Sequence, residues 1–107
     1  MLPIIQQISN EFKAGLRDLY GDELESLILF GSYARGDYHE ESDIDYAFVL
    51  RQAAVSDYAE IKKISRIAVL LGMKYGFLLS AFPIPDNKMR TSTELIYRNI
   101  RKEGILI

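Results

Sequence analysis

The sequence predicts an α/β (α+β) fold, a small mixed sheet flanked by helices, and three observations carry that reading. Residues 27–30 are a short continuous apolar run of strand length and residues 44–50 a second, apolar but for Asp45, both consistent with strands covered on both faces. Residues 3–20 and 57–71 place apolar side chains at helical spacing. A third apolar run, residues 77–84, follows the second of those helices, so the second strand, helix and third strand form a βαβ-like connection.

In order along the chain, the first helix carries Ile4, Ile5, Ile8, Phe12, Leu16 and Leu19 as its core stripe, with Pro3 in the first turn and Gly21 as its stop. Asp22, Glu23, Leu24 and Glu25 read as a polar connection into the first strand. Tyr33 to Gly36 leaves room for about one helical turn. The second long helix has Asp57 and Glu60 at capping-box spacing, with Tyr58, Ile61, Ile64, Ala68 and Leu71 on one side and Lys62, Lys63 and Arg66 on the other. Gly72 and Gly76 lead into the third strand, and Pro83 and Pro85 put that strand at or near a sheet edge. Residues 86–90 read as a polar loop. Thr91 and Glu94 form a second capping-box pattern ahead of a helix that continues to Glu103, with Gly104 as its stop. The apolar residues 105–107 either add an edge strand or meet a partner.

The 107 residues are expected to form one domain, 1–107, with a single core and no second module. Apolar content of 49% and charged content of 26% are those of a soluble globular protein. The absence of cysteine removes disulfides, zinc–thiolate sites and thiol nucleophiles together. No basic region precedes the apolar residues at the start, and no apolar run is long enough to span a membrane, so a cytoplasmic location follows by default. The net charge of −2 hides an asymmetry: residues 1–60 hold twelve acids and four bases, residues 61–107 three acids and nine bases. A basic half suits phosphates, nucleic acid or an acidic protein, against the default of a solvated face. Its C-terminal third, with Arg98 and Arg101, is expected to engage a protein.

The chemistry concentrates between residues 26 and 50. Gly31 and Ser32 fall where the first strand ends, and glycine there permits unusual backbone angles or a ligand's close approach. Asp43 and Asp45 open the second strand at period-2 spacing, so both carboxylates leave the same face, their Cα atoms roughly 7 Å apart. Two such carboxylates repel, and a cation between them relieves the repulsion. Mg²⁺ fits best, since it takes a few carboxylates, several waters and the phosphate oxygens of a substrate, which would lie on the Gly31–Ser32 turn. Arg35 has two readings, a phosphate contact or a pair with a nearby carboxylate that shapes the loop, and the second is favoured. His39, with no second histidine, reads as a surface residue.

The run Gly31-Ser32-Tyr33-Ala34-Arg35-Gly36, followed after five residues by Ser42-Asp43-Ile44-Asp45, resembles the signature of the DNA polymerase beta-like nucleotidyltransferase superfamily, and in particular its minimal nucleotidyltransferases. The resemblance implies the nucleotidyltransferase fold and transfer of a nucleoside monophosphate, AMP above all, from Mg-ATP or another NTP to a hydroxyl. Asp43 and Asp45 would hold Mg²⁺, in a one- or two-metal arrangement, while Gly31, Ser32 and Arg35 would bind the nucleotide. It also implies an antitoxin role beside a HEPN-domain toxin, as a modifying enzyme or as a binder of that protein alone. Nucleic acid is not expected as a partner, and a homo-oligomer stays open. The sequence departs from the family pattern in one respect. Active relatives carry a third carboxylate on the later strand, where residues 77–84 here hold no acid; Asp86 lies past two prolines and is not expected to replace it.

Overall fold

The helix expected at the start of the chain forms as α1, Pro3–Tyr20, in a computed structural model that describes residues 1–107. Its stripe Ile5, Ile8, Phe12, Leu16 and Tyr20 is buried, whereas Leu19 stays exposed. After a 3-10 turn at Gly21–Glu23 come β1 (Leu24–Phe30), α2 (Ser32–Arg35), β2 (Ile44–Leu50), α3 (Asp57–Tyr75), β3 (Leu79–Pro85), α4 (Asp86–Thr91), α5 (Leu95–Glu103) and β4 (Ile105–Leu106). The four strands lie in the order β3-β2-β1-β4, with β1 antiparallel to β2 and β4, and β3 parallel to β2. The sheet is therefore mixed, as expected.

Alternation sorts the sheet residues between two cores. On one face Leu27, Leu29, Tyr46, Phe48 and Leu79 pack with α1 and with Ile64 and Ala68 of α3. The Tyr46 hydroxyl is satisfied there by Ser9 Oγ at 2.7 Å. On the other face Ala47 and Ile84 meet Ile100 of α5, with Phe30, Phe82, Met89 and Tyr97 around them. The second cover is shorter, and it leaves one end of that face open.

Several local expectations are corrected. β1 begins at Leu24, so Leu24 and Glu25 are strand rather than connection. α3 runs on to Tyr75 instead of ending near residue 71, because Gly72 stays helical and makes room for the Phe77 carbonyl. Its cap is Ser56, whose Oγ accepts from the Ala59 N–H at 3.4 Å. Glu60 is instead buried under the Tyr20 hydroxyl, which donates to it at 2.9 Å, so no capping box forms with Asp57. Tyr58 and Ile61, read as core, are exposed. Residues 86–91 form a helix, and Thr91 donates its hydroxyl to Asn87 within it, so the second capping box is also absent. The terminal apolar residues resolve as an edge strand: Ile105 and Ile107 pack on the larger core and the Ile107 N–H donates to Leu27. Arg101 donates to the carbonyls of Met89 and Ser92, tying α4 to α5. No helix is long and apolar enough to cross a membrane.

Candidate active site

Antiparallel pairing sets Phe30 opposite Asp45, and parallel pairing sets Ser80 opposite Asp45 on the other side, so the three side chains form a row on one face. Asp43 lies immediately before β2, exposed, two residues from Asp45 and so on the same side. Carried one step back, the register places Leu78 beside Asp43; the Ile44 N–H already donates to Leu78 at 2.9 Å.

Gly31 ends β1 at φ +74°, ψ −155°, a region almost reserved for glycine. The Asp45 carboxylate lies directly against it, and a Cβ built at Gly31 would collide with Oδ2 and come within 3.2 Å of the Asp45 Cβ and Cγ. The glycine turn and the Asp-x-Asp strand, separated in sequence by a whole loop, are thus in contact. The Gly31 carbonyl accepts from Ala34 and Arg35 at 3.1 and 3.0 Å, which holds Ser32–Arg35 in one helical turn, closed at Gly36 in the left-handed conformation.

Burial, and then the neighbouring Asp43, push the Asp45 carboxyl above the usual carboxylate range, with Arg35 acting weakly in the opposite direction. None of the six ion pairs includes Asp43 or Asp45. Arg35 is spent elsewhere: it pairs with Asp37 at 3.2 Å and with Glu103 at 3.1 Å, clasping the loop to α5. These two hydrogen bonds, Asp37 first, raise its guanidinium further. Of the two readings of Arg35, this geometry is the carboxylate pair. Glu103 was not legible as its partner, lying 68 residues away with no pattern linking them. His39 is exposed and turned to its own loop, where its Nδ1 accepts from the Glu41 N–H at 3.2 Å.

The later strand brings no acid to this row, since its nearest position is Ser80. Asp86 stands six residues beyond Ser80, roughly 20 Å along the strand direction, where it pairs with Arg90 at 3.6 Å. It does not reach the aspartates. Beside the row, along the outer side of β3, lies a cleft of about 360 Å³ lined by Asp43, Ser80 and apolar residues of α3. No sequence pattern announces this cleft, because Ile61 and its neighbours carry the spacing of core residues.

Because the folded state raises the Asp45 carboxyl, folding favours its proton, so this group costs stability as pH rises from below about 4 through the raised value. In EDTA, Asp45→Asn is therefore expected to melt above the wild type at pH 7, with the gap closing towards pH 3.5. A gap that widened on acidification would contradict the placement of this carboxylate.

A mixed sheet with a glycine turn set against an Asp-x-Asp strand defines a nucleotidyltransferase-type domain. The chain belongs to the nucleotidyltransferase domain family, whose pattern matches residues 9–107. It is 42% identical over 76 residues to a Methanocaldococcus jannaschii protein named putative protein adenylyltransferase MJ0141, covering 71% of this chain and 75% of that one. Its fold is similar to the crystal structure of a putative nucleotidyltransferase from Sulfolobus solfataricus, with a TM-score of 0.68, 22% identity, and coverage of 94% of this chain and 76% of that one. A toxin–antitoxin crystal structure with AMP-PNP matches at TM-score 0.61 and 21% identity, over 89% of this chain and 68% of that chain. At these identities the two structures speak for the fold.

Proposed function

We propose that this chain transfers AMP from Mg-ATP to a hydroxyl of a protein partner of the HEPN toxin type, and so acts as an antitoxin. The observation that carries the reading is Asp45 packed on Gly31 beside Asp43, with neither carboxylate ion-paired and Asp45 raised by burial and by its neighbour. That donor set suits Mg²⁺: two hard oxygen ligands on one side, space for water, and phosphate donors next to them. The name of the adenylyltransferase relative and the toxin–antitoxin likeness support the choice of AMP and of a protein acceptor.

Asp43 and Asp45 would hold the ion. When bound, it supplies positive charge against the triphosphate and the departing pyrophosphate. The remaining work falls to the chain. Gly31 lets the phosphates approach the backbone, the free N–H groups at the start of α2 and the Ser32 hydroxyl donate to phosphate oxygens, and the Arg35 clasp keeps that turn in place. The acceptor oxygen forms the new bond to the α-phosphorus as the bond to the bridging oxygen breaks, and pyrophosphate leaves. Ser80 stands where a carboxylate could receive the acceptor's proton, so that proton passes to solvent and turnover is slow. This same feature favours a second reading, a nucleotide-binding antitoxin that neutralises its partner by binding alone.

Mg-ATP is expected to stabilise the fold by about 2.7 kcal/mol at a hundred times its dissociation constant. Differential scanning fluorimetry of wild type and of Asp43→Asn with Asp45→Asn checks this. A shift that survives the double substitution places the nucleotide elsewhere. Label transferred from α-labelled ATP to the partner separates catalyst from binder.

A further inference from the structure

β3 is an edge strand whose backbone is open at one end and closed at the other. The Ile44 N–H bonds to the Leu78 carbonyl, and with Ile44 opposite Leu79 the parallel ladder turns the backbone groups of residues 80, 82 and 84 toward β2. Leu79, Ala81, Pro83 and Pro85 therefore turn theirs outward. Proline has no N–H, so the half of the edge beside α4 presents none, while Leu79 and Ala81, beside the aspartates, each present an N–H and a carbonyl. No strand lies beyond β3, and no other hydrogen bond takes these groups. The 360 Å³ cleft runs along this open half. Around it Leu78, Val69 and Met73 are 65%, 58% and 76% exposed, a large apolar surface for one face of a small protein. On the next positions of the same helix face stand Lys62 and Arg66, exposed and in no ion pair.

We infer that the outer edge of β3 and the adjoining face of α3 bind an extended segment of a protein partner, added to the sheet as a short strand beside Leu79 and Ala81. Backbone hydrogen bonds hold such a guest, and alternate side chains decide its identity. Here those facing α3 enter a cleft that is apolar but for Asp43, Ser65 and Ser80, and are apolar, while those reaching the helix rim, away from Asp43, meet Lys62 and Arg66 and are acidic. Charge complementarity thus chooses an apolar and acidic segment over a second copy of this chain, whose own β3 carries no acid and whose α3 rim repeats the same cations. Pro83 and Pro85 keep the guest at the aspartate end and fix its register. The inference rests on the proposed function only in taking this guest to be the acceptor; the docking itself needs neither nucleotide nor metal.

The experiment is to pan a random short-peptide phage library on the immobilised chain in EDTA without nucleotide, then titrate the enriched peptides as synthetic chains into ¹⁵N-labelled protein. Peptides with apolar residues at alternate positions and flanking Asp or Glu are expected, moving the amide resonances of Leu79, Ala81 and Val69. Ala81→Pro removes one outward donor and is expected to weaken binding about tenfold or more. Val69→Asp, on an exposed helix position that leaves the strand untouched, is expected to do the same, and Lys62→Glu with Arg66→Glu to reverse the preference for acids. No enrichment, shifts elsewhere, or binding indifferent to both Ala81→Pro and Val69→Asp overturns the inference. So does self-association that moves the same β3 resonances, which assigns the edge to a second copy. Loss of the Mg-ATP melting shift with peptide binding intact would fail the transfer reading alone.

Discussion

Ser80→Asp is expected to raise the rate of nucleotidyl transfer by about 10²–10⁴-fold, the usual contribution of a positioned general base. The register makes Ser80 the position for the test, since it is the direct partner of Asp45 on the neighbouring strand and its side chain leaves the sheet on the same face. The position is exposed, so the added charge keeps most of its water and the fold should tolerate it. Pyrophosphate released from Mg-ATP, with water or an added protein hydroxyl as acceptor, measures the rate whichever group accepts the nucleotide. The gain should disappear in an Asp45→Asn background, because a base without a held nucleotide has nothing to act on. Leu78→Asp, opposite Asp43, is the alternative and should give the smaller gain. Equal wild-type and Ser80→Asp rates would show that proton transfer does not limit the reaction, and robust transfer unaffected by Asp43→Asn would remove the proposed mechanism.

Gly31→Ala is expected to abolish the Mg-ATP melting shift and to lower the melting temperature of the ligand-free protein. Two causes act together. The backbone conformation at φ +74°, ψ −155° costs a residue with a Cβ about 1–3 kcal/mol, and the new methyl occupies the space of the Asp45 carboxylate. In a domain of this size each 1 kcal/mol lowers the midpoint by roughly 4–8 °C. Gly36→Ala is the control: its φ is +90° but nothing lies within 4 Å of the added methyl, so it carries the conformational cost alone and should keep the nucleotide response. If Gly31→Ala retained the full shift, the turn would not be where phosphates approach.

The elements that set this geometry were legible where one local cause dominates. The strands β1 and β2 follow from the apolar residues 27–30 and from a run, 44–50, that is apolar but for Asp45, and the two same-side aspartates from the period of a strand. The nearness of the Gly31 turn to the aspartates is expected from a shared Mg²⁺ and phosphate, and the structure supplies its cause: antiparallel pairing of Phe30 with Asp45 delivers the residue after β1 to that carboxylate. Other features were hidden for identifiable reasons. The third strand reads over residues 77–84 with its prolines marking a sheet edge, and β3 is that edge, starting at Leu79; the ladder to β2 uses only the even positions, so the prolines cost nothing. Residues 86–90 look like a loop because they are polar, and with Thr91 they form a largely exposed helix tied down by Arg101. Ile61 and Tyr58 carry the spacing of core residues on a helix that overhangs the sheet, and only the tertiary placement shows them exposed.

The position of Asp45 within the sheet has a consequence for how the molecule opens. β2 is the one strand paired along its length on both sides, so its amides should exchange with solvent only through unfolding of the whole domain, while the loop bearing Asp43 exchanges through small local openings. The burial of the Asp45 carboxylate, the larger cause of its raised carboxyl, has no local escape. It weighs on the most protected unit of the fold, and an ion that relieves it should slow exchange throughout β2 by one common factor, leaving the loop amides to respond by their own, smaller amounts.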